Sequence, residues 1–177
     1  MVITDRHDHV IDDKNRLAIP SQIRNAMDPE RDGAAFYLVP EERYMQLIPE
    51  KLFERYAEQT PTGLMPASEV ARVRRYLYSL SSRIEPDKQG RVIIPDRLMK
   101  DSKNPDPFAR VLLDREITLV GNGDRIELWN RAEFFAHMRE TVADRLGIQA
   151  TLQRMFGSAP SPPPAPTGAG AEARPDH

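Results

Sequence analysis

The chain has 177 residues, 40% of them hydrophobic, with 25 Lys and Arg set against 27 Asp and Glu for a formal net charge of −2. That is enough apolar matter for a packed core and too little net charge to draw the whole molecule to nucleic acid or anionic lipid, so any such attraction is local. With 0 Cys, a disulfide framework, a thiolate nucleophile and cysteine-ligated zinc are excluded. No apolar stretch approaches the roughly 20 residues that span a bilayer, and no basic-then-apolar leader follows Met1, so a cytoplasmic protein without membrane contact is expected.

Near the N-terminus stands "DDKNRLAIP", residues 12 to 20, and the same pattern returns as "PDKQGRVIIP", with Arg16 and Arg91 75 positions apart (91 − 16). In both copies an Asp (Asp12, Asp87) precedes the Arg by four residues, the Arg opens an aliphatic run, and a Pro ends it. The echo continues. "YLVPEERYMQLIPEKLF" (37 to 53) aligns with "TLVGNGDRIELWNRAEFF" (118 to 135) when a gap of about six residues is allowed in the first half, matching Leu38-Val39 to Leu119-Val120 and Phe53 to Phe134.

Each half then reads in order as a polar turn, a short strand, a one-turn segment starting at Pro, a hairpin and a helix. The first hairpin turns through charged residues, with Tyr44, Gln46 and Ile48 on one side of its strand and Met45 and Leu47 on the other. The second turns at Gly121 and Gly123, both read as φ > 0 positions. Pro49 suits the first turn of a helix carrying Leu52, Phe53 and Tyr56. Asn130 and Glu133 make a capping-box pattern ahead of Phe134, Phe135, Met138 and Val142. Between the halves, Ser68 is placed to cap a third helix with Val70, Val73, Leu77 and Leu80 as its apolar stripe and Arg72, Arg74 and Arg75 off it. The boundaries expected are 1–66 for the first half, 67–147 for the connector helix plus second half, and 148–177 for a tail. Its text from Gly157, "GSAPSPPPAPTGAGAEARPDH", lacks large apolar residues and is expected to be disordered.

Each half has too few strands to bury both faces of a sheet alone. The duplication supplies the remedy: one half completes the other around a pseudo-twofold axis, as two subunits of a homodimer would. In the repeated loop the carboxylate is placed either to hold the guanidinium in a bidentate pair or to cap the N–H groups of the turn. A turn-closing ion pair is the plain structural reading. Duplication for the fold's sake accounts for the repeated Val, Ile and Pro, however, and leaves the repeated solvent-side Arg and Asp unexplained.

These residues carry a resemblance to a known family. "DDKNRLAIPSQIR", "VRRYLYSLSSRIEPDKQGRVIIP" and "LVGNGDRIELWNRAEF", spanning roughly residues 5 to 146, resemble the MraZ transcriptional regulators of bacteria, within the AbrB-like swapped-hairpin fold. The resemblance implies an α+β fold, a tandem duplicated β-rich module with packed helices. It implies a ring-shaped homo-oligomer that binds short repeated sequences of double-stranded DNA in the promoter of the division and cell-wall gene cluster, placing the protein at the nucleoid. By matching position, Arg16 and Arg91 are the expected DNA-contacting arginines, Asp12 and Asp87 their partners, and Lys14, Asn15, Gln89 and Gly90 the rest of the two loops. Asn15 departs from the pattern, standing where the family usually has Gly, but Asn is the residue that next best tolerates a left-handed backbone. Residues 101 to 116, "DSKNPDPFARVLLDRE", look longer than the family's loop, and the Pro-rich tail lies outside the resemblance.

Rival chemistries have weaker footing. Asp12-Asp13 and Glu41-Glu42 are adjacent carboxylates that point apart, and no Ser/His/Asp set or phosphate-cradling Gly loop is present. His7-x-His9 has no second ligand pair for a metal. "GNG" at 121 to 123 serves a hairpin. No catalysis, cofactor, metal or small-molecule substrate is expected. The alternative function is a protein-binding or scaffold module using the same fold and the Pro-rich tail, which could adopt polyproline II; a solubilising tail is its plainer reading. Arg72, Arg74 and Arg75 form either a solvated helix face or a second basic patch. The aromatic residues do not interleave with the basic loops, which disfavours single-stranded nucleic acid.

Overall fold

The computed structural model describes residues 2–58 and 66–157, and its chain divides into two compact units, Met1–His137 and Met138–His177. The first unit holds β1 (Arg6–Val10), β2 (Arg16–Ala18), α1 (Ser21–Ala26), α2 (Pro29–Asp32), β3 (Phe36–Pro40), β4 (Met45–Pro49), α3 (Glu50–Glu58), α4 (Ala67–Leu80), β5 (Ser82–Ile84), β6 (Arg91–Ile93), β7 (Glu116–Asn122), β8 (Arg125–Asn130) and the start of α5 (Arg131–Ala143). A 3-10 turn, Asp96–Leu98, follows Pro95 where α1 follows Pro20 in the first half. The α+β class is as expected.

All strand pairings are antiparallel, in a six-stranded sheet of order β1-β7-β8-β4-β3-β5 and a two-stranded ribbon of β2 and β6. Exchanging the two halves reverses that order onto itself. Each half's leading strand is paired with the other half's hairpin: β1 with β7, and β5 with β3. The register obeys the same symmetry, since Asp8 faces Thr118 as Arg83 faces Tyr37. At the centre Gln46 faces Glu127, with Met45 against Leu128 and Leu47 against Ile126. Met45 and Ile126 are thus equivalent at a separation of 81 (126 − 45), which is the 75 of the loops plus the six-residue gap.

The strands of both halves bury one continuous core, in which Leu17, Val92, Leu38, Leu119, Met45, Leu47, Ile126 and Leu128 are fully enclosed. On the sheet's other face Tyr37 stacks on Phe53 of α3 at 4.1 Å between ring centres, beside Val39 and Ile48. The matching position carries Phe134 edge-on to Trp129 at 5.9 Å, and Tyr44 stacks on Trp129 at 4.6 Å. Val70 and Leu80 of α4 are buried and Leu77 partly so, whereas Val73 is exposed.

Several local expectations are corrected. β1 and β5 are strands that the apolar pattern did not announce. Gly121 is not at positive φ; among that pair only Gly123 is, at 73°. What position 121 requires is space, because a Cβ there would lie 2.7 Å from the backbone of Ile3 and Thr4, and Ile3 bridges to Gly123 across the same edge. Asn130 does not cap α5. Its Oδ1 accepts from the Asp114 N–H at 2.7 Å and its Nδ2 donates to the Leu112 carbonyl, tying down the end of the long loop. Pro66, not Ser68, holds the N-cap of α4, with no side-chain cap.

The second unit contains the end of α5 and α6 (Arg145–Phe156), whose N-cap Asp144 accepts from the Gly147 N–H. Residues 148 to 156, at the head of the expected tail, are helical. The signal was weak because α6 buries no residue and so shows no clean apolar stripe. Residues 158–177, with the expected disordered and Pro-rich segment, lie outside the described residues, as do residues 59–65.

The close approach at Gly121 generates a test. Gly121→Ala is expected to destabilise the fold by about 1–3 kcal/mol through overpacking against a neighbouring backbone, lowering Tm by roughly 2–4 °C per kcal/mol in scanning calorimetry. An unchanged Tm would show that the segment around Ile3 and Thr4 is not seated on the sheet edge.

Candidate nucleic-acid interface

Residues 12 to 16 and 87 to 91 form two tight turns, one before each strand of the ribbon, and they match bond for bond. In loop one the Asp12 N–H donates to the Arg16 carbonyl at 3.0 Å and the Asn15 N–H to the Asp12 carbonyl at 2.8 Å; in loop two the Asp87 N–H donates to the Arg91 carbonyl and the Gly90 N–H to the Asp87 carbonyl, both at 2.8 Å. Each turn needs a left-handed residue at its fourth place, supplied by Asn15 at φ 57° and Gly90 at φ 74°. Asn15 keeps the turn that Gly makes in the other copy.

The Asp carboxylate does both things that its position allowed. Oδ1 of Asp12 accepts from the N–H groups of Lys14 (2.9 Å) and Arg16 (2.8 Å), while Oδ2 accepts from Arg16 Nε (2.7 Å) and lies 2.6 Å from Nη2. Asp87 repeats this with Gln89 (2.8 Å) and Arg91 (3.0 Å) on Oδ1, and with Arg91 Nε (2.9 Å) and Nη2 (2.7 Å) on Oδ2. These bonds stabilise the charged carboxylates. The backbone N–H of Arg91, reinforced by its guanidinium, lowers the Asp87 pKa to about 2, and the backbone N–H of Arg16 lowers that of Asp12 in the same way. The arginine side chains are about a third exposed, 32% for Arg16 and 31% for Arg91. Nε and one Nη2 hydrogen face the Asp, so the end-on edge of each guanidinium, Nη1 with the other Nη2 hydrogen, has no hydrogen-bond partner among the described residues.

The ribbon joins the two loops. Arg16 pairs with Ile93, Leu17 with Val92, and Ala18 with Arg91. Leu17 and Val92 point into the core and are fully buried, which leaves both arginines on the outer face. The loops also support each other, since the Ile19 N–H donates to the Gly90 carbonyl (2.9 Å) and the Ile94 N–H to the Asn15 carbonyl (2.8 Å).

All eight expected residues, Asp12, Lys14, Asn15, Arg16, Asp87, Gln89, Gly90 and Arg91, thus flank one short ribbon, with one loop at each of its ends. Three residues beside them were not anticipated. Lys88, matching Asp13 at the 75-residue offset, is exposed, and neither its ammonium nor that of Lys14 forms an ion pair among the described residues. Arg115 donates from Nη1 to the Asp12 carbonyl (2.5 Å) and to Asn15 Oδ1 (2.8 Å), while Asp101 holds it at 2.6 Å. The long loop 101 to 116 therefore braces loop one from both of its ends. Arg24 plays a different part at loop two: its Nε donates to the Ile19 carbonyl (3.1 Å) and lies where a Cβ on Gly90 would be 2.5 Å away. No sequence signal pointed to Arg24 or Arg115, because neither lies near its loop in the chain. His7 and His9 sit on β1 with ring centres 6.5 Å apart, and no cluster of three or more His, Cys, Asp or Glu stands ready for a metal among the described residues.

A family model described as "MraZ protein, putative antitoxin-like" matches residues 77–157. Curated relatives share similarity over most of the chain. The transcriptional regulator MraZ of Mycoplasma mobile is 28% identical over 151 residues, covering 85% of this chain and 93% of that protein. Its counterpart in Salinispora arenicola is 29% identical over 143 residues, 81% and 92% of the two chains. The Neisseria meningitidis serogroup A protein is 30% identical over 139 residues, 78% and 86%.

The carboxylate bonding has a pH signature. A depressed folded-state pKa means that the contribution of Asp87 is complete above the ordinary Asp value of 3.8 and is lost as the pH falls toward about 2. Carboxyl-carbon NMR is expected to give a midpoint of about 2 for Asp87 and one below 3.8 for Asp12. A midpoint at or above 3.8 for Asp87 would mean that the loop does not hold its arginine in solution.

Proposed function

This chain belongs to the MraZ family of transcriptional regulators, and from that membership we propose that it regulates transcription by gripping duplex DNA with its two D-x-x-x-R loops. The observation that carries the reading is the paired loops themselves: two turns with the same bonds, on an exposed ribbon, each holding a guanidinium by one edge and leaving the other unoccupied. A two-stranded ribbon is an element that enters a B-DNA major groove, about 12 Å wide. The end-on edge of an arginine suits either a phosphate or the O6 and N7 of guanine. Lys14 and Lys88 add ammonium groups that form no ion pair among the described residues. Asp12 and Asp87 position rather than bind, since their oxygens are committed to the turn, and Asn15, Gln89 and Gly90 set its shape.

The grip of one protomer is weak, because the chain as a whole is slightly acidic. Tight binding then needs several copies on repeated short sites, and the proposed assembly is a homo-oligomer, ring-shaped as the resemblance implies, on the promoter of the division and cell-wall cluster. Exposed apolar side chains support self-association, namely Val73, Tyr76 and Tyr78 on α4 and, in the second unit, Leu146, Leu152, Met155 and Phe156. No described helix is long and apolar enough to cross a membrane; the proposed place of action is the cytoplasm, at the nucleoid. Nothing in this role calls for catalysis.

Arg16→Ala and Arg91→Ala test the site. Each is expected to fold as the parent does by circular dichroism, to weaken binding to the protein's own upstream DNA, and to reduce the slope of log affinity against log salt by about 0.9 for each phosphate left without its arginine. Parent-like binding by both folded variants would reduce the loops to turn-closing ion pairs. Valency has its own test: a probe with three evenly spaced repeats is expected to bind about 10²-fold or more tighter than one repeat at equal salt, and equal affinity would remove the need for an oligomer on the DNA.

A further inference from the structure

The outer face of the ribbon carries four side chains, Arg16, Ala18, Arg91 and Ile93, because residues directly opposite in an antiparallel pair share a face. The two arginines fit the symmetry of the halves and the other pair breaks it. The pseudo-twofold carries Arg16 onto Arg91, but it carries Ala18 onto Ile93, so a single methyl in one half corresponds to a branched four-carbon side chain in the other. Ile93 is 63% exposed and belongs to neither core cluster. A lone exposed aliphatic residue is ordinary on a protein surface. This one stands directly across the ladder from Arg16, with Cβ atoms at about the 4.5–5.5 Å of a cross-strand pair, and two residues beyond Arg91 on the same strand and face.

We propose that Ile93 reads the C5-methyl group of a thymine next to the base step engaged by Arg16. The inference rests on the DNA-binding reading above and adds a base preference to it. Of the groups that bases display in the major groove, the donors and acceptors would leave an aliphatic side chain uncompensated, and only the thymine methyl is apolar. The β-branched side chain has few rotamers on a strand, so it offers a fixed apolar surface rather than a flexible one. The flanking guanidiniums supply the charge complementarity that brings the ribbon to DNA. Ala18 is too short to make the equivalent contact beside Arg91, so the thymine is read on one side of the pseudo-twofold and the recognised step is asymmetric.

The test uses the full chain and the DNA upstream of its own gene, prepared once with thymidine and once with deoxyuridine, which removes the C5-methyl and keeps the pairing. Affinities of the parent, Ile93→Ala and Ile93→Val are measured by fluorescence anisotropy at one salt concentration, with circular dichroism for folding. The parent is expected to bind the deoxyuridine fragment about three- to fivefold more weakly, as removal of one buried methyl predicts. Ile93→Ala is expected to bind both fragments alike, at the level of the parent on deoxyuridine, and Ile93→Val to keep a smaller preference for thymine. A parent that does not distinguish the two fragments overturns the proposal. So does an Ile93→Ala variant that retains the full preference. Should Ile93→Ala not fold, Ile93→Val carries the test, and an undiminished preference in it overturns the proposal as well. Binding of the upstream fragment no better than an unrelated fragment of equal length would instead bring down the DNA-binding reading, whereas specific binding without a methyl preference removes the role of Ile93 alone.

Discussion

A hairpin of two strands leaves an apolar face and an unpaired edge, and it is marginal in water by itself. In this chain each hairpin is completed by the leading strand of the other half, β1 on β7 and β5 on β3, with β4 and β8 joined between them. The exchange forces both halves into one core, and the ribbon follows from it. Once β1 and β5 are committed to opposite ends of the sheet, the segments after them return toward the axis and meet as β2 and β6. Leu17 and Val92 close that meeting on the core side. The arginines owe their place to this route and not to any interaction of their own.

What the loops add is orientation. An exposed ion pair contributes little to stability, and Asp12 and Asp87 are too accessible for their partners to be holding the fold together. Their carboxylates instead commit one oxygen to two turn N–H groups and the other to the guanidinium. A long, rotamer-rich side chain is thereby held in one orientation, which on the proposed DNA-binding reading reduces the ordering entropy lost on binding. The repeated polar pair is intelligible on these grounds, where a stability argument leaves it without a purpose.

The loops, the ribbon strands, both hairpins and the helices after them were legible in the sequence because each carries a local signal: turn residues, alternation, or an apolar stripe. β1 was not, since "RHDHV" is polar at four of its five positions and becomes a strand only through its long-range pairing with β7. β5 has three residues and the same dependence. The eight candidate site residues were readable from the repeat, whereas Arg24 and Arg115 were not. Arg115 reaches loop one across 100 residues of chain to Asn15, and no pattern in a single sequence encodes such a distance. Asn130 misled for a related reason. A good helix cap by type and spacing, it was taken by a stronger tertiary demand, the unsatisfied backbone groups of residues 112 and 114.

The two loops are alike within themselves and differ in what stands behind them, and the difference explains the residues at their fourth positions. Loop two presses its Gly90 against Arg24, so a side chain there meets both a left-handed backbone and an occupied space. Only Gly satisfies both. Loop one meets the long second-half segment instead, and Arg115, held on one edge by Asp101, brings its Nη1 to the turn. Asn15 supplies an acceptor, Oδ1, while its Nδ2 donates to Asp96 at 3.3 Å. Glycine would relieve the backbone at position 15 and leave Arg115 with the Asp12 carbonyl and Asp101 alone. Asn15 and the segment 101 to 116 are therefore one feature seen from two places: the segment brings in a cation, and the turn carries, on a left-handed backbone, a side chain that holds it.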